Sequence, residues 1–353
     1  MSSESRRSSS PDERRAILAL TLVANVGSVT HKQLIARFGS ASRALNEAIP
    51  PAVATVARAD AVAMLADSEK SGLTLIAIGD EAYPEQLTQL YDPPPVVWSR
   101  GDSGIGSLET LVAVVGTRRA TSYGLRVTHE IVGALARAGA TIVSGMALGI
   151  DAAAHRAALD ANARTIAVLG TGADVAYPRA HTSLHREIAA KGLILSELPP
   201  GARSDAGSFP RRNRIIAGLA SLTIVIEAPL KSGALITSRC ALDLGRDVAA
   251  VPGPIDSPQS VGSNELIRDG AHAITSIADA LCLVGLDAPV KLRPVITVPA
   301  EICVFDALSR SAASLDELCT RSGLPVAECL AAVTALEVRG IIECPLTGEV
   351  RRR

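Results

Sequence analysis

The chain of 353 residues is poor in several things, and each shortage closes a class of function. No run of 18 apolar residues free of charge occurs, so no membrane-spanning helix is expected. The N-terminal MSSESRRSSSPDERR lacks the apolar core of a secretory signal, which points to a cytoplasmic protein and no membrane partner. Six cysteines, Cys240, Cys282, Cys303, Cys319, Cys329 and Cys344, are far apart with no CxxC. They read as reduced core residues, so neither a disulfide framework nor a bound metal is expected. An excess of positive charge is missing too: 35 Lys and Arg stand against 36 Asp and Glu, a net charge of −1. A protein that grips DNA over its whole surface is strongly basic, so any polyanion site must be local. Aromatics are few, one Trp, four Tyr and three Phe, which makes their placement informative.

The length suggests two or three domains. Residues 1–13, rich in Ser and Arg and without periodicity, read as a disordered tail. Residues 14–95 read as an N-terminal helical module and its connection, with Ile17, Leu18, Leu20 and Leu22 on one helix, a break at Val26-Gly27-Ser28, and Leu34, Ile35 and Phe38 on the next. That break resembles a helix-hairpin-helix or SAM-like module, with plain packing as its expected role. Tyr91-Asp-Pro-Pro-Pro95 marks the turn into the following domain.

Residues 96–285 carry a different rhythm. LVAVVG, ATIVSG, RTIAVLG, LILSE, SLTIVIEA, DVAAVPG and HAITS recur about a helix length apart. Short strands apolar at nearly every position belong to a sheet buried on both faces, so the fold class is α/β, an extended Rossmann-like doubly wound parallel sheet. A Pro-rich linker, 286–299, leads to residues 300–353, where three helices and a strand–turn–strand read as a winged helix. Its third helix carries only Glu328, Glu337 and Arg339 as charges, which fits protein binding better than base reading.

Ligands of open parallel sheets bind beyond the carboxyl ends of the strands, and the unusual residues gather there. Gly116-Thr117-Arg118-Arg119 and Tyr123-Gly124 follow the first strand, Ser144-Gly145 and Gly149-Ile150-Asp151 the second, Gly170-Thr171-Gly172 the third. Lys231-Ser232-Gly233 follows the strand ending in Glu227. Glycine turns at helix starts let backbone N–H groups approach phosphates. The spacing is not GxGxxG and no acidic residue is placed for a ribose, so no dinucleotide cofactor is expected. Between Leu111 and Leu283 the only rings are Tyr123, Tyr177 and Phe209, all read as loop residues beside Arg118, Arg179 and Arg211. Base stacking on such rings tolerates any sequence and suits single-stranded nucleic acid. Arg211, Arg212 and Arg214 would take phosphates, since cations at a helix start oppose its dipole unless an anion joins them. Asn213 reads as a brace of the loop. Asp151 reads as a helix N-cap and His155 as a hydrogen-bonded core residue, and no serine stands in a GxSxG elbow.

Taken in order, GTRRATSYG, SGMALGIDAAAH, TIAVLGTGADVAYP, LILSELPPG, FPRRNRIIAGLA, VIEAPLKSGALITSR, GRDVAAVPG and NELIRDGA resemble the DprA/Smf family of DNA-processing proteins, across about half the chain. The resemblance implies a single-stranded-DNA-binding domain that dimerises and protects incoming DNA. It further implies loading of the RecA recombinase during natural transformation, against competition from single-strand-binding protein, without catalysis. Gly116, Thr117, Arg118, Ser144, Gly145, Phe209, Arg211, Asn213, Arg214, Lys231, Ser232 and Gly233 match the family's DNA-pocket motifs. Thr117, Leu148 and Ala234 depart from the common Ser, Arg and Ser. The alternative is a Rossmann-fold enzyme similar to the lysine-decarboxylase-like group, which cleaves nucleoside monophosphates. Glu227 and Arg214 would then act on the sugar–base bond, although that group's Pro-Gly-Gly-x-Gly-Thr loop is absent.

Overall fold

The computed structural model describes residues 10–102, 110–205, 207–286, 296, 298–308, 313–344 and 349–352. The chain divides into two compact units, Met1–Pro289 and Val290–Arg353.

Four helices open the first unit: α1 (Pro11–Leu22), α2 (Ser28–Phe38), α3 (Ala41–Glu47) and α4 (Pro51–Lys70). Helix α1 begins before the expected end of the tail at residue 13. Ser10 caps it through the Glu13 N–H and Pro11 occupies its first turn, two start signals that offset the polar composition of this stretch. Residues 1–9 of the expected tail lie outside the described residues. The Glu13 carboxylate also accepts from the backbone N–H groups of Ala41 and Ser42, satisfying donors at the start of α3 that a helix cannot satisfy itself.

A nine-stranded sheet follows. Its elements are β1 (Thr74–Ala77), β2 (Val96–Gly101), β3 (Leu111–Val115), α5 (Ser122–Arg137), β4 (Thr141–Ser144), α6 (Ile150–Asp160), β5 (Thr165–Leu169), α7 (Thr182–Lys191), β6 (Leu193–Ser196), α8 (Ser208–Leu219), β7 (Leu222–Val225), α9 (Gly233–Asp243), β8 (Asp247–Ala250), α10 (Val261–Arg268), β9 (His272–Ala273) and α11 (Ile277–Cys282). The spatial order is β1-β2-β6-β5-β4-β3-β7-β8-β9. From β6 to β9 every pairing is parallel, and β3, β4, β5, β6 and β7 are buried along their whole length, as expected of strands covered on both faces.

At the other edge the sheet is mixed. Strand β2 runs antiparallel to both β1 and β6. Strand β1 comes from the stretch assigned to the N-terminal module, because TLIA, three apolar residues after a threonine, is too short to show a period that separates strand from helix. The helices of that module pack on the same edge, sharing a core with Trp98 of β2 and Ile194 of β6.

The chain leaves β3 toward β4, β5 and β6, then returns across the sheet to β7 on the other side of β3. A reversal of this kind opens a crevice at the carboxyl ends of β3 and β7.

The second unit contains α12 (Pro299–Ala307), β10 (Ala313–Ser314), α13 (Leu315–Ser322), α14 (Val326–Val338), β11 (Ile342–Glu343) and β12 (Glu349–Arg352), with strand order β10-β12-β11. Three helices and a small antiparallel sheet give the winged-helix form. Most of the linker expected at 286–299, and the turn between β11 and β12, lie outside the described residues. Among the described residues no helix is long and apolar enough to cross a membrane.

Candidate nucleic-acid interface

The crevice at the β3–β7 reversal is a cleft of about 470 Å³, walled by the turn Gly116–Arg119 after β3 and by Ser232, Gly233 and Ala234 where α9 starts. Its far wall is the first turn of α8, with Phe209, Arg212 and Asn213. A second lobe of about 70 Å³ continues past Phe209 and Arg118 to Leu148, Gly170 and Tyr177.

Glycines permit this approach of elements. A Cβ on Gly116 would meet Ile150 at 2.5 Å, and one on Gly170 would meet the Phe209 ring at 2.9 Å. One on Gly145 would fall 1.9 Å from Nη1 of Arg212, so only glycine admits that guanidinium.

Phe209 forms the centre of a ring stack. Tyr177 flanks it with ring centroids 5.4 Å apart and planes tilted by 39°, and the Arg118 guanidinium lies over it at 5.4 Å. Tyr177 is about 44 % exposed, so its outer face is open to a planar partner. Rings held this way offer a base-stacking platform with a cation beside it.

The three arginines of α8 do not form one cluster, because consecutive helical residues point about 100° apart. Arg212 turns inward and is buried, and Nη1 donates to the Val168 carbonyl at 2.5 Å. Burial holds its pKa down to about 10, partly offset by the carboxylate of Asp151. Arg214 faces the opposite side of the helix. Its Nη2 donates to both oxygens of Glu197 at 2.7 and 2.8 Å, and Nε lies 3.1 Å from Asp92. Arg211 is exposed, and its ion pair among the described residues is a long one, to exposed Asp205 at 3.4 Å. The expected set of three phosphate ligands therefore separates into one buried brace, one ion-paired side chain and one available cation.

Other expected residues also take distinct places. Tyr123 is in helix α5 and away from the cleft: its hydroxyl donates to the Pro252 carbonyl at 2.9 Å and Arg126 covers its ring. Phe209 likewise lies within a helix, the first turn of α8. The Ser144 hydroxyl donates to the Val114 carbonyl at 2.6 Å and ties β4 to β3. Thr117 lines the cleft, but its hydroxyl donates to Oε1 of Gln259 at 2.9 Å. Asn213 braces the loop as read from sequence, with Nδ2 donating to the Gly233 carbonyl at 3.1 Å. Lys231 is exposed, with a left-handed φ of 60°, and Ser232 caps nothing: its buried hydroxyl oxygen has no hydrogen-bond partner among the described residues.

Asp151 corrects its assignment as an N-cap. The cap position of α6 is Gly149, and Asp151, in the first turn, reaches back to the Ala147 N–H. Burial raises its pKa, opposed by Arg212 and by backbone N–H groups of Ala147, Gly116 and Gly145. Asp151, through the Ala147 N–H, and Arg212, through the Val168 carbonyl, thus tie strand-end turns together beneath the cleft, each in the field of the other's charge. His155 is a buried hydrogen-bonded residue, with Nδ1 2.7 Å from the Thr165 hydroxyl. Glu227 and Arg214, the pair of the alternative enzyme, are not brought together. The Glu227 carboxylate accepts from the Thr121 backbone and hydroxyl, against Gly124. Among the described residues no three metal-ligating side chains cluster.

Arg119 and Asp151, read from sequence as members of the strand-end turns but not as DNA ligands, both line the cleft. Gln259, which sequence reasoning passed over, holds the Thr117 hydroxyl from outside it and carried no local signal.

Comparison with known proteins gives three consecutive family matches. Residues 11–69 match a DprA-like N-terminal HHH domain, residues 74–285 match DNA recombination-mediator protein A, and residues 292–344 match a DprA winged helix domain. A putative DNA processing protein DprA of Mycobacterium tuberculosis is 42 % identical over 263 residues, 71 % of this chain and 67 % of that protein. The X-ray structure of DNA processing protein A from Streptococcus pneumoniae superposes with a TM-score of 0.68 at 34 % identity, covering 76 % of this chain and 97 % of that one. A Helicobacter pylori DNA processing protein A, described for its single-stranded DNA binding mode, superposes at 0.55 with 33 % identity, covering 61 % and 97 %.

Proposed function

The chain belongs to the DNA recombination-mediator protein A family, and from that membership we propose that it binds single-stranded DNA in the β3–β7 cleft and passes it to the RecA recombinase. The observation that carries this reading is the Tyr177–Phe209–Arg118 stack opening onto glycine turns and the start of α9. Bases stack on the rings, one phosphate is held by the uncapped N-terminus of α9 with the Ser232 hydroxyl, and others by Arg118, Arg119, Arg211 and Lys231. Arg212, Asn213, Gly145 and Ser144 hold the cleft in shape. Duplex DNA is rejected because a base must be unpaired and unstacked to reach the rings. The protein acts in the cytoplasm as a mediator rather than an enzyme, without a cofactor. As a homodimer it sets two clefts on one strand, and the second binding event becomes intramolecular. That avidity protects incoming DNA during natural transformation and lets RecA load where single-strand-binding protein would otherwise cover the strand.

The test is fluorescence anisotropy of a labelled oligonucleotide, single-stranded and then duplex, at two salt concentrations. Single-strand preference that weakens with salt supports the reading. Equal affinity for duplex overturns it. RecA loading is tested by strand exchange on template precoated with single-strand-binding protein, with and without this protein.

A further inference from the structure

A second cleft, of about 340 Å³, lies on the other side of α8, between the N-terminal helices and the antiparallel edge of the sheet. Leu22, Met64 and Leu198 give it apolar walls over a floor of buried Leu18 and Trp98, and Arg214, ion-paired to both Glu197 and Asp92, forms one polar side. Gly27 and Ser28, the start of α2, stand on its rim, and Gly27 provides no side-chain cap. The linings of this cleft and the first are linked through residues around the start of α8. A narrow furrow of about 10 Å³ shares Gly170 and Arg212 with the lobe beside Phe209, and shares Glu197, Leu198 and Arg211 with the second cleft. The furrow has room for about one water molecule, so a strand passing from one cleft to the other runs outside it, over the exposed guanidinium of Arg211 at the start of α8.

We propose that the second cleft is a continuation of the single-strand path, in which the N-terminal module receives a nucleotide flanking those held at Phe209. The inference rests on the reading of the first cleft given above. A strand leaving Tyr177 and Phe209 crosses the start of α8 with a phosphate on Arg211, and turns a base onto the apolar walls beside Trp98. The distance around one helix, about 10 Å across, is within reach of a few extended nucleotides. The N-terminal helices would then set the length of strand bound, a task that packing on the sheet edge alone does not require of them.

Trp98 is the chain's sole tryptophan and lies about 1 % exposed in the core directly beneath this cleft, so its emission responds to what fills the cleft and not to the rings at Phe209. The full-length protein is titrated with oligodeoxynucleotides of about four and about twelve nucleotides, within the range one such module covers. The variant Gly27→Phe fills the rim: the residue has an ordinary φ of −81°, and an added Cβ meets nothing within 4 Å. The expected result is that the short oligonucleotide binds, by anisotropy, with no change in Trp98 emission. The long one binds roughly tenfold more tightly, as one further stacked base provides, and quenches Trp98. Gly27→Phe loses the quenching and the tenfold gain while keeping the affinity for the short oligonucleotide. The proposal is overturned if the long oligonucleotide binds without quenching, if the short one quenches equally, or if Gly27→Phe changes neither readout. If neither oligonucleotide binds, the reading of the first cleft fails and this one with it.

Discussion

The Arg118 guanidinium lies over the Phe209 ring, 5.4 Å from its centroid, on a phenyl whose edge is backed by Gly170. The ring is therefore fixed before any ligand arrives, and a base stacking there gives up little side-chain freedom. Phe209→Ala should weaken single-strand binding by about 1–3 kcal/mol, roughly five- to 150-fold, whereas Phe209→Tyr should stay near the parent. Anisotropy titration decides, and an unchanged dissociation constant for the alanine protein would move the platform elsewhere.

Gly145 and Arg212 form a steric pair. Gly145→Ala places a methyl 1.9 Å from Nη1, and the guanidinium has nowhere to go because it is buried beside Asp151. Loss of about 1–3 kcal/mol is expected from overpacking of this kind, read as a lower midpoint in urea. A wild-type midpoint would mean that the guanidinium relocates freely.

Arg211 and Arg214 should separate by assay. Arg211→Ala leaves stability unchanged and lowers the salt slope of DNA binding by about one, the signature of a single lost phosphate contact. Arg214→Ala leaves Glu197 without the Nη2 donor that both its oxygens share and should lower stability by about 3 kcal/mol or less, since Glu197 is only partly buried. Equal effects of the two substitutions on the salt slope would contradict the orientation of α8.

Burial brings His155 down from 6.5 to about 3 and His31 to about 4. The folded state keeps both neutral while the unfolded chain takes up protons below pH 6.5, so stability is full above that pH and falls as acid is added. Each histidine contributes a slope of about 1.4 kcal/mol per pH unit across its window. His155→Gln can keep the hydrogen bond to Thr165 and should flatten the pH dependence of the thermal midpoint between pH 6.5 and 4. An unaltered slope would assign the acid sensitivity to other groups.

Much of the fold is legible along the chain. Strands such as LVAVV and TIAVL are apolar at every position because helices cover both faces, and that local pattern announces a parallel sheet before any contact is known. The glycine turns after β3 and β4, and the brace role of Asn213, were also readable. Strand β1 was not, since a four-residue strand after a long helix carries no period, and its antiparallel pairing with β2 depends on residues about twenty positions away. The role of Asp151 was hidden for the same reason: its partner Arg212 is some sixty residues on.

The segment FPRRNR shows where the division falls. Its sequence alone determined that three cations at a helix start, next to a ring, would stand beside the strand ends. Which cation serves a ligand was decided only by the tertiary structure, because a helix fans its side chains through 100° steps. The sheet beneath then buries Arg212, the edge carboxylates Asp92 and Glu197 claim Arg214, and Arg211 is left to the solvent. Charge is a property of the residue, but its availability depends on what the fold packs against it.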